Sequence, residues 1–162
     1  LKRRDKDGSW ARAENEICRL QRAYREMFEV YPFQVFAHLT FAKRPHNNEE
    51  ISRATLRFIR KTISKTSLSI AALGVVARGK VDARPHVHLA VYGRNSKSGK
   101  TLADIPAGAI EQAWRHGNSM VSPIYDMAGV GNYLTKNLAP GTGFEGEVIS
   151  YGTKTLKAIK TE

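Results

Sequence analysis

Apolar side chains recur along the first thirty residues at the spacing of a helix. Trp10, Ile17, Leu20, Tyr24, Met27 and Phe28 fall on one side, with Arg12, Arg19, Arg22 and Arg25 between them, which predicts an amphipathic helix over 10–29 that packs inward and presents its arginines outward. The pattern stops near Tyr31-Pro32. From 34 to 42 the period becomes two: Val35, Ala37, Leu39 and Phe41 face one way, Phe36, His38, Thr40 and Ala42 the other, as in a strand with one buried face. A second helix follows, capped by Asn47 or Asn48, with Glu49 and Glu50 at its positive end and Ile51, Ala54, Phe58, Ile59 and Ile63 as its inner stripe. Arg53, Arg57, Arg60, Lys61 and Lys65 lie largely outside that stripe.

A β-prone run over 69–77 turns through Gly79-Lys80-Val81-Asp82 and resumes over 85–92, the pattern of an antiparallel hairpin. A polar, basic loop spans 93–99. Asp104 and Pro106 open a third helix expected to end at His116-Gly117. Residues 120–125 predict a short strand, placed at a sheet edge by Pro123. Asp126 caps a fourth helix reaching about Leu138 and closed by Pro140, Gly141 and Gly143, and 147–151 predict a last strand. The order contains βαββαβ, the split-βαβ pattern of ferredoxin-like and RRM-like folds. The expectation is an α+β domain spanning 1–162: a helical extension over 1–31, then a core over 34–152 whose antiparallel sheet has helices mainly on one face and leaves the other for a ligand.

Composition narrows the picture. With 162 residues, 41% of them hydrophobic, there is material for one core and not for two ordinary domains. The chain opens Leu-Lys-Arg-Arg without Met, as a piece of a longer protein would. A single cysteine, Cys18, excludes an intramolecular disulfide, and no stretch has the apolar length of a membrane span or signal peptide. The expected setting is soluble and intracellular, cytoplasmic in a bacterial host or nuclear in a eukaryotic one. A net charge of +11 points to a polyanionic partner. Arg53, Arg57, Arg60, Lys61, Lys97 and Lys100 are the expected phosphate contacts.

Chemistry enters with His86-Val87-His88. On a strand the two imidazoles share a side while Val87, Leu89 and Val91 point to the core, so the pair can bind one metal ion. Two other uses of His-x-His fail on this chain. A cupin wants a Glu four or five residues on, where Tyr92 and Gly93 stand, and a histidine-triad hydrolase wants a third His where Ala90 stands. The fourth helix adds Tyr133, Lys136 and Asn137, three and four residues apart on one face. A phenol of ordinary pKa about 10 is a weak nucleophile at neutral pH, and a nearby cation favours its phenolate.

Taken together and in order, these residues resemble the HUH endonucleases, specifically single-tyrosine rolling-circle replication initiators. Phe36-Ala37-His38-Leu39-Thr40-Phe41 looks like their first motif, His86-Val87-His88 is similar to the His-hydrophobic-His motif, and Tyr133-Leu134-Thr135-Lys136 is similar to the Tyr-x-x-Lys motif. The likeness covers 34–138 and implies a metal-dependent nuclease that nicks single-stranded DNA, at an origin stem-loop or similar, through a 5′-phosphotyrosine link on Tyr133. It further implies that Lys136 steadies the reacting groups, that Thr40 contacts the strand, and that magnesium or manganese sits on His86 and His88. Where many initiators carry an acidic third ligand, Arg78 stands here, so His38, Asn137 and Asp82 are the candidates for that place. A fused or separate helicase is a further implied partner. The alternatives are a single-tyrosine transposase of the same superfamily and a non-catalytic RRM-like binder of single strands, for which only Phe36 and Tyr92 offer aromatic faces.

Overall fold

A computed structural model describes residues 9–78, 84–136 and 148–152, with the side chains of 9–17, 20 and 30 outside that description. The elements in chain order are α1 (Ser9–Val30), β1 (Val35–Thr40), α2 (Asn48–Thr66), β2 (Ser69–Arg78), β3 (Pro85–Arg94), a 3₁₀ turn (Leu102–Asp104), α3 (Ala107–Glu111), β4 (Ser119–Pro123), α4 (Met127–Lys136) and β5 (Val148–Tyr151). The strands form one antiparallel sheet in the order β4-β1-β3-β2-β5. The first four make the ferredoxin-like arrangement that βαββαβ requires, and β5 extends it beyond β2. Pro123, which has no amide to donate, lies on β4 at the sheet edge as expected. The turn at 79–82, with Asp82, and the segment containing Asn137, Leu138 and Pro140 lie outside the described residues.

Local signals account for most of these elements. Asn47 caps α2 by accepting from the Glu50 amide at 2.9 Å, and Ile51, Ala54, Phe58 and Ile59 are all buried beneath it. Thr55 and Thr62 are buried too, each hydroxyl donating to the carbonyl four residues earlier, so their polarity costs little. Asp126 accepts from the Gly129 amide to start α4.

The third helix is shorter than the pattern predicts. Gly108 weakens it, and beyond Glu111 the chain turns outward so that Trp114 enters the core edge-on to Phe41 and Phe58. The indole donates to the Thr40 carbonyl at 2.8 Å and the Ala42 amide donates to the His116 carbonyl at 2.8 Å. Burial of one large ring and pairing with the end of β1 outweigh a few more residues of helix.

Helices cover both faces of the sheet. Phe41, Trp114 and Phe58 link β1 to α2 on one side, while Phe36 and His88 meet Tyr133 of α4 on the other. Helix α1 packs along α4. Phe28 is buried against Gly131, where an added Cβ would lie 3.2 Å from the Phe28 Cβ, and the Tyr24 hydroxyl donates to the Gly74 carbonyl at 3.2 Å. Burial pushes the Tyr24 phenol up, so it stays a neutral donor. Arg19, Arg22 and Arg25 are exposed, as amphipathicity predicts, while the side chains of Ile17 and Leu20 lie outside the described residues. The face expected to be free for a ligand is thus roofed along part of its length, and β2 is buried from Ile70 to Ala77.

Candidate active site

Strand register builds the site. His88 lies directly opposite His38, and His86 opposite Thr40, so alternation puts all four side chains on the face that α4 covers. The His38 and His88 rings stack with centroids 4.5 Å apart, and His86 stands edge-on to both, at 5.6 and 6.2 Å. His88 is buried and the other two half-buried. Nδ1 of His86, Nδ1 of His88 and Nε2 of His38 are buried with no hydrogen-bond partner among the described residues. Buried polar atoms are normally satisfied, so three orphans in one cluster call for a ligand.

Electrostatics keep these rings neutral. Burial, reinforced by His38 and His86, lowers the His88 pKa from 6.5 to about 4, and burial followed by the neighbouring His86 lowers that of His38. Neutral imidazoles are the form that binds a metal. The donor chemistry of His86 and His88 therefore fits a divalent ion. The three-ligand set is not preformed: among the described residues no three His, Cys, Asp or Glu groups are gathered to hold a metal, in keeping with two rings lying face to face. Of the three candidates for the third place, the structure brings His38 to the pair, and Asn137 and Asp82 lie outside the described residues.

Tyr133 sits over this cluster from α4, half exposed, its ring edge-on to His88 at 5.3 Å and to Phe36 at 6.0 Å. Leu134 and Thr135 beside it are buried, and the Thr135 carbonyl accepts from Gln21 of α1 at 2.9 Å, so the helix that aims the tyrosine is anchored on its far side. Lys136 is exposed in the last turn.

A hollow of about 290 Å³ beside His86 is lined by Thr40, Arg84 and Asn118. No sequence motif singles out Arg84, although residues 84, 86 and 88 keep the period of two that puts them on one side. Thr40 is more structural than expected: its hydroxyl donates to the Asn118 carbonyl and accepts from the Asn118 amide, which commits its one proton.

The expected phosphate contacts do not form one patch. Arg53 and Arg57 line a cleft at the end of β1 nearest His86, Arg60 and Lys61 lie further along α2, and Lys97 and Lys100 follow β3 at its far end. From His86 to Arg94 β3 extends about 27 Å. The two lysines therefore stand at the opposite end of the sheet from the histidines.

An antiparallel ferredoxin-like sheet on a strongly basic chain suits a nucleic-acid-processing protein, and comparison at the family level gives the class directly. The family model described as Replication-associated protein, of the ORF2 type, matches residues 34–140 of the 162, and the chain belongs to this family of rolling-circle replication initiators. The match opens at the residue before β1, leaving α1 outside it. Comparison with curated proteins gave no match, and comparison with solved structures gave none. No helix among the described residues is long and apolar enough to cross a membrane.

Proposed function

We propose that this chain is a replication initiator endonuclease of the HUH type, which nicks single-stranded DNA at an origin with Tyr133 and can rejoin the ends. The observation that carries the reading is Tyr133 standing over His88 in a cluster with three unpartnered imidazole nitrogens. In the reaction the Tyr133 oxygen attacks phosphorus as its phenol proton leaves, the bond from phosphorus to the 3′ oxygen breaks, and that oxygen takes up a proton. The products are a 5′-phosphotyrosine and a free 3′-hydroxyl, and attack of a 3′-hydroxyl on the phosphotyrosine reverses the step. When bound by His86 and His88, with His38, Asn137 or Asp82 as third ligand, magnesium or manganese supplies positive charge at the scissile phosphate. Lys136 steadies the phosphate or the phenolate from the same helix face, and Arg84 adds a cation beside His86.

The family favours an initiator over a transposase. The RRM-like reading loses its platform, because Tyr92 is buried and Phe36 is half-buried beneath Tyr133. The test is incubation of the chain with a pool of single-stranded oligonucleotides and manganese, followed by mass mapping of any covalent adduct. Adduct on Tyr133, lost in Tyr133→Phe and in His86→Ala or His88→Ala, is expected. Adduct mapped to another tyrosine, or cleavage persisting in Tyr133→Phe, would remove the assignment.

A further inference from the structure

Beyond Thr40 the chain passes from one face of the sheet to the other, and two hollows meet there. The hollow beside His86 shares Phe41 with a larger cleft of about 360 Å³ that opens toward α2. Lys43, Arg44, Arg53 and Arg57 line this second cleft, with Glu50 as the acid among its lining residues. The Glu50 carboxylate already accepts from the His46 amide at 2.8 Å, and Arg53 pairs with Glu49 on the helix surface. The cleft therefore keeps a positive balance.

Its remaining wall is aromatic. His116, half exposed, stands edge-on to Trp114 at 5.0 Å and tilted toward Phe41 at 6.2 Å. The backbone holds it there: the Ala42 amide donates to the His116 carbonyl, and at Gly117 an added Cβ would lie 2.3 Å from the Thr40 carbonyl oxygen, so the chain approaches β1 more closely than any side chain allows. A ring already fixed in place loses little freedom on binding. Several cations around a flat ring, in a volume at the small end of ligand pockets, suit a phosphate with a base attached. Apolar ligands would leave the cations unpaired.

We infer that the cleft between the end of β1 and α2 takes one unstacked nucleotide of the single strand, its base against His116 and its phosphate on Arg53 and Arg57. The strand reaches it by rounding Phe41 from the hollow beside His86, so the nucleotide lies within a few residues of the phosphate at the histidine site. That placement rests on the proposed nicking centre, whereas occupancy of the cleft does not. Bases must leave their stack to enter such a wall, which excludes paired duplex from the cleft. Phosphates held on Arg57 are directed onward along α2 toward Arg60 and Lys61.

The test uses the Tyr133→Phe chain in EDTA, so that neither metal nor nicking contributes. An oligothymidylate about twenty nucleotides long, bearing a single 5-iododeoxyuridine, is irradiated and the cross-linked peptides are mapped. A cross-link in the peptide carrying His116 is expected, competed by unmodified oligothymidylate. His116→Ala is expected to weaken binding about fivefold or more, and His116→Phe, which keeps a stacking face, to restore it to within about twofold. Cross-links confined to other peptides, or affinity unchanged in His116→Ala with its melting temperature intact, would overturn the inference. If both variants lose stability, the cross-link on the chain with His116 intact still decides. Loss of the manganese-dependent adduct with this cross-link retained would count against the nicking centre alone.

Discussion

His88 shows how one position serves folding and chemistry in opposite ways. Its place at the centre of β3, buried and opposite His38, is unfavourable for a charged ring, so the folded chain holds it neutral while an unfolded chain lets it titrate at its ordinary value. The unfolded state then binds more protons between about pH 6.5 and 4, and metal-free stability falls as pH drops through that window. Above 6.5 this contribution is constant. The loss is on the order of 3 kcal/mol at most, from about 1.4 kcal/mol per unit of pKa. Urea unfolding in EDTA at several pH values measures it, and a midpoint flat from pH 7 to 4 would show the histidines to be more open to water than their burial indicates. Gly74 acts at the same place from the neighbouring strand. A Cβ there would lie 2.2 Å from the His88 carbonyl oxygen, so Gly74→Ala is expected to cost about 1–3 kcal/mol and, by moving β3, to lower adduct yield along with the melting temperature.

Among the elements, α1 and α4 act as a pair. The tyrosine helix carries a glycine where another helix would carry a side chain, and Phe28 of α1 fills the space. Phe28 also meets Tyr24 and Phe33, and it ranks among the largest fully buried side chains. Phe28→Ala is expected to cost about 3–5 kcal/mol and to free α4 from its support, so that covalent adduct falls by more than the folded fraction does. Circular dichroism together with adduct yield separates the two effects; a fall in yield equal to the fall in folded protein would show that α1 stabilises without positioning Tyr133. The short α3 makes a related point at the other end of β1. What fixes the segment after it is the indole of Trp114 and the pairing of 116–118 with β1.

Across the whole molecule the positive charge is spread along the length of the sheet. Arg53 and Arg57 stand near His86, while Lys97 and Lys100 lie at the far end of β3. Phosphate contacts release counterions, each lowering the salt slope of single-strand binding by about 0.7 when removed. Replacing Arg53 and Arg57 by Ala is therefore expected to reduce the slope by about 1.4 for short and long oligothymidylates alike. Replacing Lys97 and Lys100 is expected to reduce it only for strands long enough to reach from His86 past Arg94. Anisotropy titrations over a salt series check this, and an equal effect of both pairs on a short oligonucleotide would mean that the strand takes another path.

Hydrophobic period, capping residues and punctuation are local properties, and the elements that depend on them are legible in the chain alone: α1, the alternating β1, the Asn47-capped α2, the hairpin of β2 and β3, and the edge position that Pro123 imposes on β4. The pairing of His86 with His88 is equally legible, because a period of two is a property of one strand, and Tyr133 stands out by its spacing to Lys136. The remaining features depend on residues far apart in the chain and arise only when it folds. Register across β1 and β3 chooses His38 to face His88. Trp114 ends α3 early because its burial partners, Phe41 and Phe58, come from other elements. The cleft walled by His116 exists because Gly117 lets one loop press against the end of β1. The roofing of the histidine face by α1 and α4 turns on Gly131 meeting Phe28, a contact between helices about a hundred residues apart, of the kind that sets burial but leaves no mark in the local pattern.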